Sequence, residues 1–231
     1  MSRIARIVYP AYPHHIVQRG NNKQPIFGDD QDKHFYFGLL KKYARQGGCK
    51  VHAYCLMTNH THLLLVPNEK NSLAITMQKL SMSYTQHINR KYDRSGRLWE
   101  GRFFSALIDK ESYLWTVCRY IEQNPLRARI SEKATDYMWS SARINSGLIK
   151  SDFLEPIWET YLDKNEYQRL LAEGIEEAEI KKVRKSTSKG IPLGSQEFFD
   201  RMVGQFGKLI IPNPRGNPYR KRNGVCPELK N

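Results

Sequence analysis

Two apolar runs, Lys50 to Met57 and His60 to Val66, are separated only by Thr58-Asn59, which forces a tight reversal of the chain. Runs of this kind bounded by a two-residue turn read as a hairpin, and the second becomes an inner strand of an antiparallel sheet. Side chains on a strand alternate faces, so His60 and His62 project the same way. Two neutral imidazoles side by side suit one divalent ion and leave most of its coordination positions open for a substrate oxygen. The same spacing also describes two hydrogen-bonded core histidines. A third ligand and a reacting group therefore have to come from elsewhere.

The neighbouring segments alternate strand and helix. Tyr12 to Arg19 reads as a strand with His15, Val17 and Arg19 on one face, ended by Gly20-Asn21-Asn22. Asp29 to Gln46 reads as a helix capped by Asp29 or Asp30, with Phe35, Leu39, Leu40 and Tyr43 as its stripe and Gly47-Gly48 as its stop. Asn71 to Tyr92 is the longest helical pattern, Arg97 to Ile108 returns to strand character, and Lys110 to Asn124 forms a third helix. This order predicts an α+β fold, an antiparallel sheet with its helices packed on it.

After about Ser140 the character changes. Ser140 to Glu155 reads as a polar connector, Pro156 to Leu162 and Glu166 to Arg184 as helices, Ser186 to Lys189 as a flexible link, and Glu197 to Phe206 as a short amphipathic helix. The expected organisation is a domain over 1–139 followed by a helical extension with a basic tail over 140–231.

Charge narrows the partner. With 37 Lys+Arg against 23 Asp+Glu the formal charge is +14, spread along the chain rather than confined to one amphipathic helix. That distribution favours nucleic acid over a membrane surface. No apolar signal region follows Met1 to Arg6, no stretch approaches the roughly 20 apolar residues of a membrane span, and Cys49, Cys55, Cys118 and Cys226 show no metal-site spacing. The expectation is a cytoplasmic protein with reduced thiols.

The third helix carries Tyr120 and Asn124, four apart and on one face. Asn124 suits a third metal ligand, and equally a helix-end signature before Pro125; Tyr120 suits a nucleophile, and equally a hydrogen-bonded core tyrosine. His14, His15 and His52 receive no metal role.

His60-x-His62, Tyr120-Ile121-Glu122-Gln123-Asn124-Pro125-Leu126-Arg127-Ala128 and Gly96-Arg97-Leu98-Trp99-Glu100-Gly101-Arg102-Phe103 together resemble the REP-associated tyrosine transposases, among the single-tyrosine transposases of the HUH (His-hydrophobic-His) nuclease class. The resemblance runs in matching order from about Pro13 to Ile130 and loosely through Gly190 to Ser195. Thr61 departs from the bulky hydrophobe of the class name, although a β-branched residue suits a strand.

The resemblance implies a ferredoxin-like HUH nuclease fold and a transposase acting on hairpin-bearing, REP-like single-stranded DNA. In the family the tyrosine matching Tyr120 attacks a backbone phosphate, forming a 5′-phosphotyrosine and a free 3′-hydroxyl. The histidines matching His60 and His62, with a polar residue at the position of Asn124, hold Mg2+ or Mn2+. A phenol is a poor nucleophile near neutral pH, so an ion that polarises the phosphate agrees with those residue types. A covalent intermediate conserves the energy of the cleaved bond and permits rejoining. The REP-associated branch implies a monomer, whereas other single-tyrosine relatives exchange the nucleophile helix between subunits.

Candidate DNA contacts are the polar turn Arg19, Asn21 and Asn22; Arg97, Trp99, Arg102, Phe103 and Phe104, which interleave cations with rings; Arg127 beyond the third helix; and Arg215 and Arg220 in a tail resembling the family's Arg-Gly-Arg-Pro strips. Trp99 and Phe103 also read as core residues, and the tail also reads as a disordered basic segment. An inactive relative that only binds structured single-stranded DNA or RNA would share charge and fold without needing Tyr120 or Asn124.

Overall fold

A computed structural model describes residues 6–154 and 164–207. Strands β1 (His14–Arg19), β2 (Cys49–Met57), β3 (His60–Pro67) and β4 (Phe104–Leu107) form one antiparallel sheet in the order β2-β3-β1-β4. Helix α1 (Asp30–Gly47) links β1 to β2, and α2 (Ser72–Lys91) links β3 to β4. This is the βαββαβ arrangement of ferredoxin-like folds.

Local chemistry sets the boundaries. Asp29 and Asp32 form a reciprocal capping box at the start of α1, and Gly48 ends it in a left-handed conformation (φ 68°) that favours glycine. Thr58-Asn59 closes the β2–β3 hairpin, with Met57 opposite His60. The register between β1 and β3 sets Val17 against His62 and Arg19 against His60.

The pleat divides the residues of the sheet between two layers. Ile16, Leu56, Leu63 and Leu65 pack with Tyr36, Leu40, Leu73, Leu80 and Tyr84 of α1 and α2. On the other face Ala53, Cys55, Leu64 and Ala106 meet Val117, Cys118 and Ile121 of α3 (Leu114–Glu122), which runs almost without a break into the short α4 (Asn124–Arg127). The histidines of β3 lie on this second face.

Residues beyond Ser140 join the same packing. Ser140 bridges Cys55, Ser141 is fully buried, and α5 (Ala142–Asn145) follows at once, so the first half of the stretch read as a polar connector is largely internal. The helix expected over Glu166 to Arg184 is two helices, α6 (Lys164–Ala172) and α7 (Glu177–Lys189), interrupted around Gly174. Ser186 to Lys189, read as a link, is the last turn of α7, capped by Gly190 (φ 69°). Leu193 then pairs with Ile108, and α8 (Gln196–Phe206) follows. The expected helix over Pro156 to Leu162 lies outside the described residues.

The strand expected over Arg97 to Ile108 begins only at Phe104. Residues before it form an excursion tied to the end of β1, where Asn21 N–H donates to the Leu98 carbonyl at 2.8 Å and Glu100 N–H to that of Arg19 at 2.9 Å.

One buried carboxylate holds α3 in place. Glu122 is inaccessible and accepts from Ser141 Oγ at 2.5 Å, Asn145 Nδ2 at 2.6 Å and Tyr167 Oη at 2.6 Å, joining α3 to α5 and α6. Burial pushes its carboxyl above the usual range, against the opposing effect of these donors. Glu122→Ala leaves three donors unsatisfied and is expected to cost more than about 2 kcal/mol in chemical denaturation, whereas the isosteric Glu122→Gln costs clearly less.

Candidate active site

A cavity of about 560 Å³ opens between β1, β3, α3, α4 and α7. His60 and His62 face it from β3, Tyr120 and Asn124 from α3 and α4, and Arg184, Lys185, Thr187 and Ser188 from α7. The alternation of the strand and the periodicity of the helix thus bring together the four residues expected to form the chemical centre.

The two imidazoles are arranged to leave one nitrogen each uncommitted. His60 Nδ1 lies 2.7 Å from Asn59 Oδ1, and His62 Nδ1 lies 3.0 Å from His15 Nε2. Among the described residues neither Nε2 has a protein partner. The rings stand edge to face with centroids 4.9 Å apart. Burial, reinforced by the Arg19 charge, lowers His60 to about 4; burial first, then the neighbouring His15 and His60, holds His62 well below the ordinary imidazole value. Both rings are neutral at physiological pH, the protonation state a ligand needs.

Tyr120 is 4% exposed, yet its ring borders the cavity, with its centroid 5.7 Å from that of His62 and 5.6 Å from that of His15. Its hydroxyl has no hydrogen-bond partner among the described residues. Asn124 Nδ2 donates to the carbonyls of Tyr120 (2.9 Å) and Ile121 (3.2 Å), which occupies the donor side of the amide and leaves Oδ1 as the available atom. The capping and ligand readings of Asn124 are therefore compatible: one end of the amide serves the helix, the other is free for the cavity.

Arg127 adds the charge. Its guanidinium lies 4.4 Å above the Tyr120 ring and donates through Nη2 to the Tyr120 carbonyl, while Nε and Nη1 are buried with no partner among the described residues. Burial lowers its pKa below the arginine range, and repulsion from Arg184 contributes in the same direction. Arg127 and Arg184, joined by Arg19 on the same cavity and without a salt bridge to a carboxylate among the described residues, form a receptor for an anion.

The other expected contacts divide. Arg19 lines this cavity and an adjoining one of about 380 Å³, which Arg102 also lines. Asn21 and Asn22 form a 3₁₀ turn beyond Arg19, and Arg97 is exposed outside both cavities. Trp99 is corrected: it is 7% exposed, packs near Tyr36 and Tyr84, and donates Nε1–H to the Ser81 carbonyl, so it offers no face to a base. The accessible ring is Phe104, 38% exposed and shared by both cavities. Arg215 and Arg220 lie outside the described residues.

Sequence reasoning missed His15 and the α7 group Arg184, Lys185, Thr187 and Ser188. The placement of His15 on the same strand face as Val17 and Arg19 was the available signal. The α7 residues are brought in by long-range packing that no local pattern encodes. His14 is also buried, but is structural: its Nε2 accepts from Tyr9 N–H at 3.3 Å and its Nδ1 donates to the Tyr12 carbonyl at 2.8 Å.

An inner strand with paired histidines facing a helical tyrosine across one cavity of a ferredoxin-like sheet defines the single-tyrosine HUH class to which the motifs pointed. The chain belongs to the IS200-like transposase family: the family described as Transposase IS200 like matches residues 9–124. A Haemophilus influenzae protein assigned as a REP-associated tyrosine transposase is 28% identical over 99 residues, covering 38% of this chain and 56% of that protein. The chain thus spans little more than half the length of that relative. A solved REP-associated tyrosine transposase bound to a REP hairpin shares the fold, with a TM-score of 0.54 and 15% identity over 68% of this chain and 93% of that one. No helix among the described residues is long and apolar enough to cross a membrane.

Burial of the histidines has a measurable consequence. Burial lowers His14 to about 4, His15 to about 3 and His60 to about 4, with His62 also well below 6.5, so between roughly 4 and 6.5 the unfolded chain binds protons that the folded chain does not. Their contribution to stability is fully present above about 6.5 and is lost as pH falls, by up to about 1.4 kcal/mol per group per pH unit. Calorimetry of chelator-treated protein from pH 7 to 4 is expected to show a falling Tm across this window.

Proposed function

We propose that this cavity cleaves and rejoins hairpin-bearing single-stranded DNA, of the kind formed by REP elements, through a 5′-phosphotyrosine on Tyr120. The observation that carries this reading is the positive charge gathered around an otherwise unbonded phenol: Arg127, whose guanidinium lies over the Tyr120 ring, together with Arg184 and Arg19 on the same cavity. A phosphodiester seated there meets two guanidiniums, with the Tyr120 hydroxyl on the same cavity.

The donor set suits a divalent ion: two neutral imidazoles with Nε2 uncommitted and an amide whose Oδ1 is the free end. His60, His62 and Asn124 would hold it, and the bound ion would polarise a non-bridging phosphate oxygen. Two imidazoles favour Mn2+ over the more oxygen-seeking Mg2+.

Tyr120 Oη attacks phosphorus, the bond to the 3′-oxygen breaks, and that oxygen leaves as a 3′-hydroxyl while the phosphate stays on the tyrosine. Attack by a 3′-hydroxyl on the phosphotyrosine re-forms the diester and frees Tyr120, so joining needs no external energy source. Arg127 holds the Tyr120 carbonyl and neutralises the transferred phosphate. Arg19, Arg102 and Phe104, on the adjoining cavity, suit the flanking strand, cations for phosphates and the exposed ring for a base.

Incubation with hairpin oligonucleotides and Mn2+ is expected to give a denaturation-resistant adduct, faster than with Mg2+, abolished by Tyr120→Phe and strongly reduced by His60→Ala or His62→Ala. Arg127→Gln is expected to slow adduct formation about 100-fold. An adduct that persists in Tyr120→Phe refutes the nucleophile; hairpin binding without any adduct identifies a non-catalytic binder.

A further inference from the structure

We infer that His15, braced by Thr187, is a positioning residue that keeps His62 turned with Nε2 as a bare lone pair toward the cavity. This rests on reading His60 and His62 as the ion-binding pair. His15 is buried on β1, its ring 9° from coplanar with that of His62. Its Nε2 lies 3.0 Å from His62 Nδ1 and its Nδ1 lies 2.7 Å from Thr187 Oγ1, so His62, His15 and Thr187 form one continuous chain of hydrogen bonds.

A neutral imidazole carries one donor and one acceptor, so this chain runs in one of two directions. If the Thr187 hydroxyl donates to His15 Nδ1, then His15 Nε2–H donates to His62 Nδ1, and the proton of His62 sits on Nε2, where it blocks ligation. In the opposite direction His62 Nδ1–H donates to His15 Nε2, His15 Nδ1–H donates to Thr187 Oγ1, and His62 Nε2 is left as a lone pair. Binding of an ion selects the second direction, and the chain in turn fixes the ring for it.

The two histidines are supported unequally. Asn59 Oδ1 can only accept, so it fixes the Nδ1–H of His60 from the adjacent residue. His62 depends on a residue of α7, 172 positions from its bonding partner His15. The last turn of α7 is thus part of the ion site although it supplies no ligand.

Full-length protein freed of metal and titrated with Mn2+, with free Mn2+ followed by electron paramagnetic resonance, tests this. His15→Leu is expected to weaken Mn2+ binding roughly 10- to 100-fold. His15→Gln, whose Oε1 can accept from His62 Nδ1–H, is expected to recover most of the loss. Thr187→Val should weaken binding in the same direction and Thr187→Ser should retain it. Wild-type Mn2+ affinity in His15→Leu, or in Thr187→Val if His15→Leu does not fold, overturns the inference when His62→Ala no longer binds. A deficit in His15→Gln as large as that in His15→Leu overturns it as well, by marking a packing role rather than acceptance from His62 Nδ1–H. Mn2+ binding that survives the combined His60→Ala and His62→Ala changes removes the ion-site reading itself.

Discussion

The pairing of β1 with β3 is the constraint on which the rest of the molecule depends. A slip of one residue would exchange the two faces of β3, burying His60 and His62 against α1 and α2 and turning Thr61, Leu63 and Leu65 toward the cavity. The apolar side of the strand, packed on Ile16, Tyr36 and Leu40, makes that slip costly. The two-residue turn at Thr58-Asn59 fixes the same parity from the other side, through Met57 opposite His60. Core packing and site geometry are therefore set by one register.

Electrostatically the cavity combines groups that burial treats in opposite ways. The three imidazoles that line it, His15, His60 and His62, are kept neutral by burial, the form that already predominates at neutral pH. The guanidinium of Arg127, by contrast, remains charged while largely removed from water and faces a second cation. Such a site favours an anion, and the excess of basic residues over the whole chain gives the surface the same preference.

Much of this was legible in the sequence because it depends on short periods. A period of two placed His60 and His62 together, and a period of 3.6 placed Tyr120 beside Asn124. The capping box and the Gly48 stop marked α1 to within a residue. What escaped lies in contacts without a local signature. Trp99 carries the composition of a stacking residue, yet the ties between its loop and β1 draw it under the surface, and Phe104, next on the strand, takes the exposed position. Thr187 reads as part of a polar link until α7 packs on β1 and β4. Glu122 reads as one more charge in a helix, because its three donors arrive from 19 to 45 residues away.

That carboxylate limits how α3 can move. Swinging α3 away from the sheet, or lending it to another subunit, would pull Glu122 from Ser141, Asn145 and Tyr167 and leave three buried donors without an acceptor. Tyr120, two residues earlier on the same helix, is tethered with it. The Tyr120 hydroxyl and the paired histidines are in this way bound into a single polypeptide, and one copy of the chain supplies both walls of the cavity.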